Sequence, residues 1–306
     1  MKRRTFMANT ALAVAGTAVF GCGKPNVEST TTTGTGSKTT ASGMPMGIQL
    51  YTLRDILKDS TKVKETIKQL ADWGYTELET FGYSNGNLFG MTSKEFNDYV
   101  QSVGARVTSG HYGIDVIRGD WAKAVADAKD AGQEFMVLPW LAEADRTADG
   151  YKKIIEDVNK AAEATKAAGI QMQYHNHAFE FDKIPGTGAE LQKEGTETTG
   201  FDMLMAGFDP NLVSLELDLY WAVRAGADPE QLISKYPGRF EQWHVKDMDK
   251  ADNSKNANVG SGSIDFEKLF TLASQAGMKH WYVEYDTFPD EPMVGAQKSI
   301  EYLKTI

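Results

Sequence analysis

One cysteine, Cys22, is present in 306 residues, and histidine is scarce at five. A lone cysteine excludes an intramolecular disulfide and any thiolate metal cluster. Positive charge is also missing where a polyanion would need it. The formal charge is −10, and basic residues do not cluster outside the extreme N-terminus. A nucleic-acid or anionic-membrane surface gathers phosphates on a positive patch, so both partners are excluded. A small polar molecule or a polysaccharide is the expected partner. Long apolar runs are absent too: the longest near the start, Ala11 to Phe20, is too short to span a bilayer as a stable helix.

That short run sits in an address. Lys2-Arg3-Arg4-Thr5-Phe6-Met7 is a cationic start with a twin-arginine pair, and the run ends in Val19-Phe20-Gly21-Cys22. The order resembles a bacterial signal closing on a lipobox, in which Cys22 takes a lipid and becomes the new N-terminus. Phe20 is bulkier than the usual residue there. The alternatives are an uncleaved N-terminal anchor, or an ordinary signal with an incidental cysteine. Residues 1–22 are therefore read as a signal, and the mature chain, at −13 after loss of three basic residues, as an exported lipoprotein held at the membrane by its lipid alone. From Gly23 to Pro45, 14 of 23 residues are Ser, Thr or Gly. Too little apolar surface is available there to offset the entropy of ordering, which predicts a disordered tether over 23–45.

From residue 46 to 306 short apolar runs alternate with stretches of helical periodicity. The strand candidates are Met46–Tyr51, Thr76–Thr80, Arg106–His111, Glu134–Pro139, Ile170–Asn176, Val213–Leu219, Phe240–Val245 and His280–Tyr285. Thr92 with Glu95 reads as a capping box. Gly74, Gly104, Gly132, Gly169, Gly238 and Gly277 each stand a few residues before a strand, as left-handed helix ends do. Strand–helix alternation implies parallel pairing with crossover helices. Eight units of this size predict a single-domain (β/α)8 barrel of the α/β class. An open dinucleotide-binding sheet would carry a glycine-rich first turn, and Leu50-Tyr51-Thr52-Leu53-Arg54-Asp55 has no glycine.

Barrel enzymes collect their chemistry at the C-terminal ends of the strands. His111, His175, His177 and His244 fall at that rim, whereas His280 starts a strand and is read as structural. Glu77 and Glu79, Glu216 and Asp218, and Glu284 and Asp286 stand two apart, so each pair shares a strand face. Glu77 and Asp286 read as solvated loop carboxylates. If the remaining acids face inward with the imidazoles, a divalent cation is the simplest means of neutralising them. Gly260-Ser261-Gly262-Ser263 is either a backbone cradle for phosphate or, more simply, a turn before the helix at Ile264-Asp265.

Five segments together resemble the xylose isomerase-like TIM-barrel family of sugar phosphate isomerases and epimerases. They are Gly47-Ile48-Gln49-Leu50-Tyr51-Thr52-Leu53-Arg54, Tyr174-His175-Asn176-His177-Ala178-Phe179-Glu180-Phe181, Leu215-Glu216-Leu217-Asp218-Leu219-Tyr220-Trp221, His244-Val245-Lys246-Asp247 and Val283-Glu284-Tyr285-Asp286. The resemblance implies a metal held by His175, Asp218, His244 and Glu284. Mixed imidazole and carboxylate ligands suit Mn2+, Zn2+, Co2+ or Fe2+. Many relatives have glutamate where His175 stands. That departure leaves a two-base mechanism incomplete, with Glu284 on one side and Glu180, Lys246 or His177 for the second proton transfer. Lys246 alternatively pairs with Asp247 or Glu216 as structure. Tyr51, Glu79, His111, Trp140 and His177 are expected to contact substrate.

The activity so implied is metal-dependent isomerisation or epimerisation of a keto-sugar through an enediolate. A lyase or dehydratase on a keto-glycoside or keto-inositol begins with the same proton abstraction and needs only one strong base. A non-catalytic sugar-binding lipoprotein is the third reading. DNA cleavage, known among distant barrel relatives, fits poorly with the acidic charge and few histidines. The lipobox makes its own prediction: the full-length protein fractionates with membranes after processing, and Cys22→Ser releases it to the soluble fraction. A Cys22→Ser protein that stays membrane-bound would mean that lipid at this residue is not the anchor.

Overall fold

The computed structural model describes residues 41–184 and 198–306. The signal, the lipobox and residues 23–40 of the expected tether lie outside the described residues. The end of that tether is not tether-like: Ala41–Gly43 forms a 3-10 turn, and Ala41 is fully buried in the main hydrophobic core with Met44 and Met46 beside it. Those apolar residues give the segment something to bury, which its Ser/Thr/Gly content concealed. Among the described residues, no helix is long and apolar enough to cross a membrane.

Eight parallel strands close into one barrel in sequence order, β1 pairing with both β2 and β8. They are β1 (Gly47–Gln49), β2 (Glu77–Thr80), β3 (Arg106–His111), β4 (Phe135–Leu138), β5 (Gln171–His175), β6 (Val213–Asp218), β7 (Phe240–Val245) and β8 (His280–Val283). Every expected strand is present, Arg106–His111 and Phe240–Val245 with the expected bounds and the other six shorter than the apolar runs suggest, and helices fill the crossovers. The capping box at Thr92 and Glu95 forms with both reciprocal bonds. All six joint glycines have positive φ. At one joint the need is also steric, because a Cβ on Gly277 (φ +76°) would sit 3.0 Å from the Gly238 backbone. Gly47 is required for closure, since a Cβ there would lie 2.2 Å from the Trp281 carbonyl oxygen on the neighbouring strand.

Strand alternation sorts the side chains. Outward-facing Ile48, Leu78, Leu217, Trp243, Val245, Trp281 and Val283 join helix residues such as Ile67, Leu70 and Ile300 in one buried cluster. Met136, Leu138, Met172 and Tyr174 meet Ile154 and Val158 in another. The interior is not apolar. Gln49, Ser109, Gln242, Tyr282 and Thr108 fill it, joined by hydrogen bonds such as Gln242 Nε2 to Tyr282 Oη (2.8 Å) and Thr108 Oγ1 with Tyr282 Oη (2.8 Å).

Two carboxylates differ from expectation. Glu77 is buried at the first residue of β2, bonded by His280 Nδ1 at 2.7 Å and by Arg106, so it ties the lower end of the barrel together and is not a solvated loop acid. His280 is structural, as its place at a strand start implies. Asp247 is fully buried and turns away from the lysine beside it. Its carboxylate accepts from the backbone N–H groups of Met248, Gly260, Gly262 and Ile264 at 2.8–3.1 Å. The glycine-rich loop thus wraps an internal anion in the place a phosphate would take, and the turn reading is the correct one. Asp247→Ala leaves buried donors unpaired at about 2–3 kcal/mol in stability. For a domain of this size that lowers Tm by about 4–6 °C. An unchanged melting curve by circular dichroism would mean the carboxylate does not hold this loop.

Candidate metal centre and cavity

The upper ends of the strands gather their inward side chains under a cavity of about 550 Å3 lined by Tyr51, Phe81, His111, Trp140, His175, His177, Glu284 and Asp286, among others. On its floor one donor atom each from His175, Asp218, His244 and Glu284 lies within 4.8 Å of the other three, and all four residues are buried. Each arrives for a local reason. Asp218 ends β6 and caps the helix Leu219–Arg224, with Oδ1 accepting from Trp221 N at 2.8 Å, which leaves Oδ2 for the cavity. His244 stands opposite Asp218 across the β6–β7 register.

The protonation pattern tests whether a cation fits. His175 Nδ1 lies 3.1 Å from the Pro139 carbonyl oxygen, which can only accept, so Nδ1 carries the hydrogen. Burial, with repulsion from His244, lowers this imidazole to about 3, so it is neutral. Its Nε2 therefore presents a lone pair 3.4 Å from Asp218 Oδ2, acceptor against acceptor. A metal ion between them relieves that opposition, and the donor set is chemically suited to one.

His244 bridges two layers. Its Nδ1 faces Glu284 at 2.8 Å, and its Nε2 faces Glu79 at 2.6 Å and Glu216 at 3.2 Å. With Nε2–H donated downward, Nδ1 is free to ligate. Burial opposes charge on this ring, but Glu216, Glu284 and Glu79 outweigh it and raise it well above the usual histidine range. The ring holds a proton here because the surrounding carboxylates demand positive charge, a demand a divalent ion also meets.

The other expected site residues divide. Tyr51 and Trp140 stand at the rim, 38% and 50% exposed, and His111 and His177 line the wall. His111 is raised to about 9: burial works against its charge, and Glu79 and Glu216 overcome it. His177 is held low by burial, by His175 and by Lys246, and its Nδ1 has no hydrogen-bond partner among the described residues. Glu79 does not line the cavity. It is fully buried beneath it, receiving bonds from Gln49 Nε2 (2.7 Å) and Ser109 Oγ (2.7 Å) as well as His244, with His111 Nε2 at 3.3 Å. Its place is to orient the two histidines.

Glu180 is also buried away from the wall, bonded by Tyr174 Oη (2.6 Å) and His177 N (2.8 Å), so it sets the loop that carries His177. Lys246 pairs with neither Asp247 nor Glu216. Its ammonium lies 2.9 Å from Asp218, 2.7 Å from Glu284 and 2.7 Å from Asp286. Asp286, read as a solvated acid, is a partly buried wall residue locked by that ammonium. Phe81, Gln49 and Gln242 were missed as site residues, and Glu216 was expected among the inward acids without a role of its own. The two-residue spacings from Gln49 to Tyr51, Glu79 to Phe81, Glu216 to Asp218 and Gln242 to His244 are the signal that finds them.

A family model described as xylose isomerase-like TIM barrel matches residues 67–306. The chain belongs to this family. Among solved structures of the family fold, a sugar phosphate isomerase/epimerase from Parabacteroides distasonis is 30% identical, with a TM-score of 0.73 over 86% of this chain and 94% of its own. An inosose dehydratase of Clostridium botulinum is 25% identical over 235 residues, 70% of either protein. An IolI protein with a bound zinc atom shares the fold at 14% identity, with a TM-score of 0.62 over 86% of this chain and 96% of that one.

The ligand assignment has a direct test. Asp218→Asn keeps a residue able to cap the helix while removing the charge, and lowers affinity for Zn2+ or Mn2+ by at least about 100-fold in titration calorimetry. Glu79→Gln, one shell out, lowers it by about 10–100-fold. Stoichiometric metal in purified Asp218→Asn protein contradicts the assignment.

Proposed function

We propose that this barrel is a divalent-metal-dependent lyase that removes a proton next to the carbonyl of an uncharged keto-sugar or keto-cyclitol and expels an oxygen substituent from the following carbon. The observation that carries the reading is the floor of His175, Asp218, His244 and Glu284 opening directly into the lined cavity. A divalent ion held there supplies Lewis acidity toward the carbonyl oxygen and toward the enediolate-like charge that follows. The chain supplies the rest. His177, a neutral imidazole on the wall, accepts the proton. His111, held between Glu79 and Glu216, returns one to the leaving oxygen. Lys246 keeps Glu284 and Asp286 apart from each other's charge and fixes both.

Two features favour an uncharged substrate. Among the described residues the wall carries Glu284 and Asp286 but neither Arg nor Lys, and the glycine-rich loop already encloses Asp247. The inosose dehydratase relatives support elimination over isomerisation. So does histidine at position 175, since elimination runs with one base where epimerisation uses an opposed pair. The similarity to a sugar phosphate isomerase/epimerase supports the second reading, in which the same proton abstraction ends in reprotonation. We further propose that Cys22 tethers the enzyme outside the cytoplasm, where scavenged glycosides are the available carbohydrates.

Metal-loaded protein in D2O, given inosose and 3-keto-glucosides, is expected to release water or the aglycone. It also exchanges deuterium at the carbon next to the carbonyl. His177→Gln lowers kcat by about 100-fold or more with its metal retained. Exchange with an inverted product and no released group selects the isomerase reading. Metal-bound protein that exchanges nothing across the panel sinks both.

A further inference from the structure

The cavity does not stop at its rim. A second cavity of about 410 Å3 shares Tyr51, Phe81 and Gly82 with the first and continues past Arg54 to Phe89. Its wall is a run of rings in edge contact: Tyr51 on Phe81 at 5.2 Å, and Phe81 on Phe89 at 5.3 Å. Arg54 stiffens the edge. Its guanidinium lies 4.4 Å from the Tyr51 ring centroid and donates to the carbonyls of Tyr51, Tyr285 and Asp286. The shelf and the reaction cavity are thereby held in one frame.

Phe89 is an independent sign that the shelf has a use. It stands with Gly90 in the turn between Asn87–Leu88 and Met91–Thr92, at φ +52° and +83° respectively. A two-residue turn of that hand prefers asparagine before glycine, and a bulky side chain is strained there. The residue that would relax the backbone has been passed over for one that supplies a ring. Such strain persists where the side chain is needed. Part of that need is packing, since Phe89 also contacts Phe96. The face toward Phe81 opens on the cavity. Gly82 lines both cavities, and among the described residues nothing lies within 4 Å of where its Cβ would be.

We propose that this shelf is a subsite for a second, uncharged ring on the substrate: the leaving-group ring of a glycoside, pyranose or aryl, lying with its apolar face on Tyr51, Phe81 and Phe89. Its identity as the leaving group rests on the elimination proposed above; its binding does not. In that elimination a cavity base takes the proton beside the carbonyl and the electron pair forms a carbon–carbon double bond. The C–O bond to the shelf ring breaks with its pair on oxygen, and that oxygen takes a proton. The products are an unsaturated keto-sugar and the second ring bearing a free hydroxyl.

Equilibrium binding of unreactive glycosides to the metal-loaded full-length protein tests the subsite without turnover. Methyl glucoside, a glucose disaccharide and phenyl glucoside are compared by calorimetry or saturation-transfer NMR. At least one two-ring ligand is expected to bind about 10-fold more tightly than methyl glucoside. The disaccharide and phenyl arms tell which ring the shelf takes. Phe89→Asn, which relaxes the turn, and Tyr51→Ala, at an exposed position, should each reduce that ratio about 3-fold or more, with folding checked by melting. Equal affinity for one- and two-ring ligands overturns the proposal, as does a ratio that neither variant changes. A two-ring preference without any turnover upholds the shelf and counts against the lyase; turnover without preference does the reverse.

Discussion

Buried negative charge is the constraint on which this structure turns. Glu79, Glu216, Asp218, Glu284 and Asp286 converge at one end of a closed barrel, four of them almost wholly out of water. Carboxylates in that setting are tolerable only when paired and hydrogen-bonded. The chain answers with Lys246 between three of them and with two histidines between the others. His175 Nε2 adds a further lone pair at Asp218 Oδ2, an oxygen that already receives the Lys246 ammonium at 2.9 Å. The donor set there suits a cation by its chemistry as much as by its geometry.

The polar barrel interior follows from the same constraint. A barrel of this class is ordinarily filled by branched apolar side chains. Here Gln49, Ser109, Gln242 and Tyr282 occupy that space, because Glu79 needs donors on its buried side and the histidines above need Glu79. A hydrogen-bonded floor also fixes the tilt of His244, so a metal ligand at this position would be oriented in advance. The apolar work of folding is moved outward, to the seam between strands and helices, where both hydrophobic clusters lie.

That division explains what could be read from sequence. The outer seam has a period and the joints have glycine, so all eight strands and the closure of the barrel were legible. Alternation places His244 and Lys246, or Glu216 and Asp218, on one face, so the convergence of these side chains was legible; which of them would hold a metal was implied by the resemblance alone. Direction within a face was not legible. Asp247 is adjacent to Lys246 and was a natural partner for it, yet strand alternation sends the two to opposite sides, and the loop after β7 closes over the carboxylate. Asp286 stands two residues from Glu284 and so on its face, but a carboxylate near a strand end reads equally as a solvated loop acid, and the approach of Lys246 is what makes it part of the site. Glu180 shares a short motif with His175 and His177, but the 3-10 turn Phe179–Phe181 folds it under the loop, so proximity in sequence did not become proximity to substrate.

The substitution of imidazole at position 175 changes what the floor can do. A glutamate there would add a sixth carboxylate to the cluster, and would need either the metal or a proton to be stable. Histidine, kept neutral by burial and turned by Pro139, contributes a ligand without adding charge. It gives up the opposed carboxylate that a symmetric proton shuttle uses. In the reaction proposed above the base on the wall is His177, and a one-sided base is sufficient when the step after proton loss is departure of a group rather than return of the proton. The charge balance of the floor and the proposed outcome of the reaction are therefore linked through a single residue.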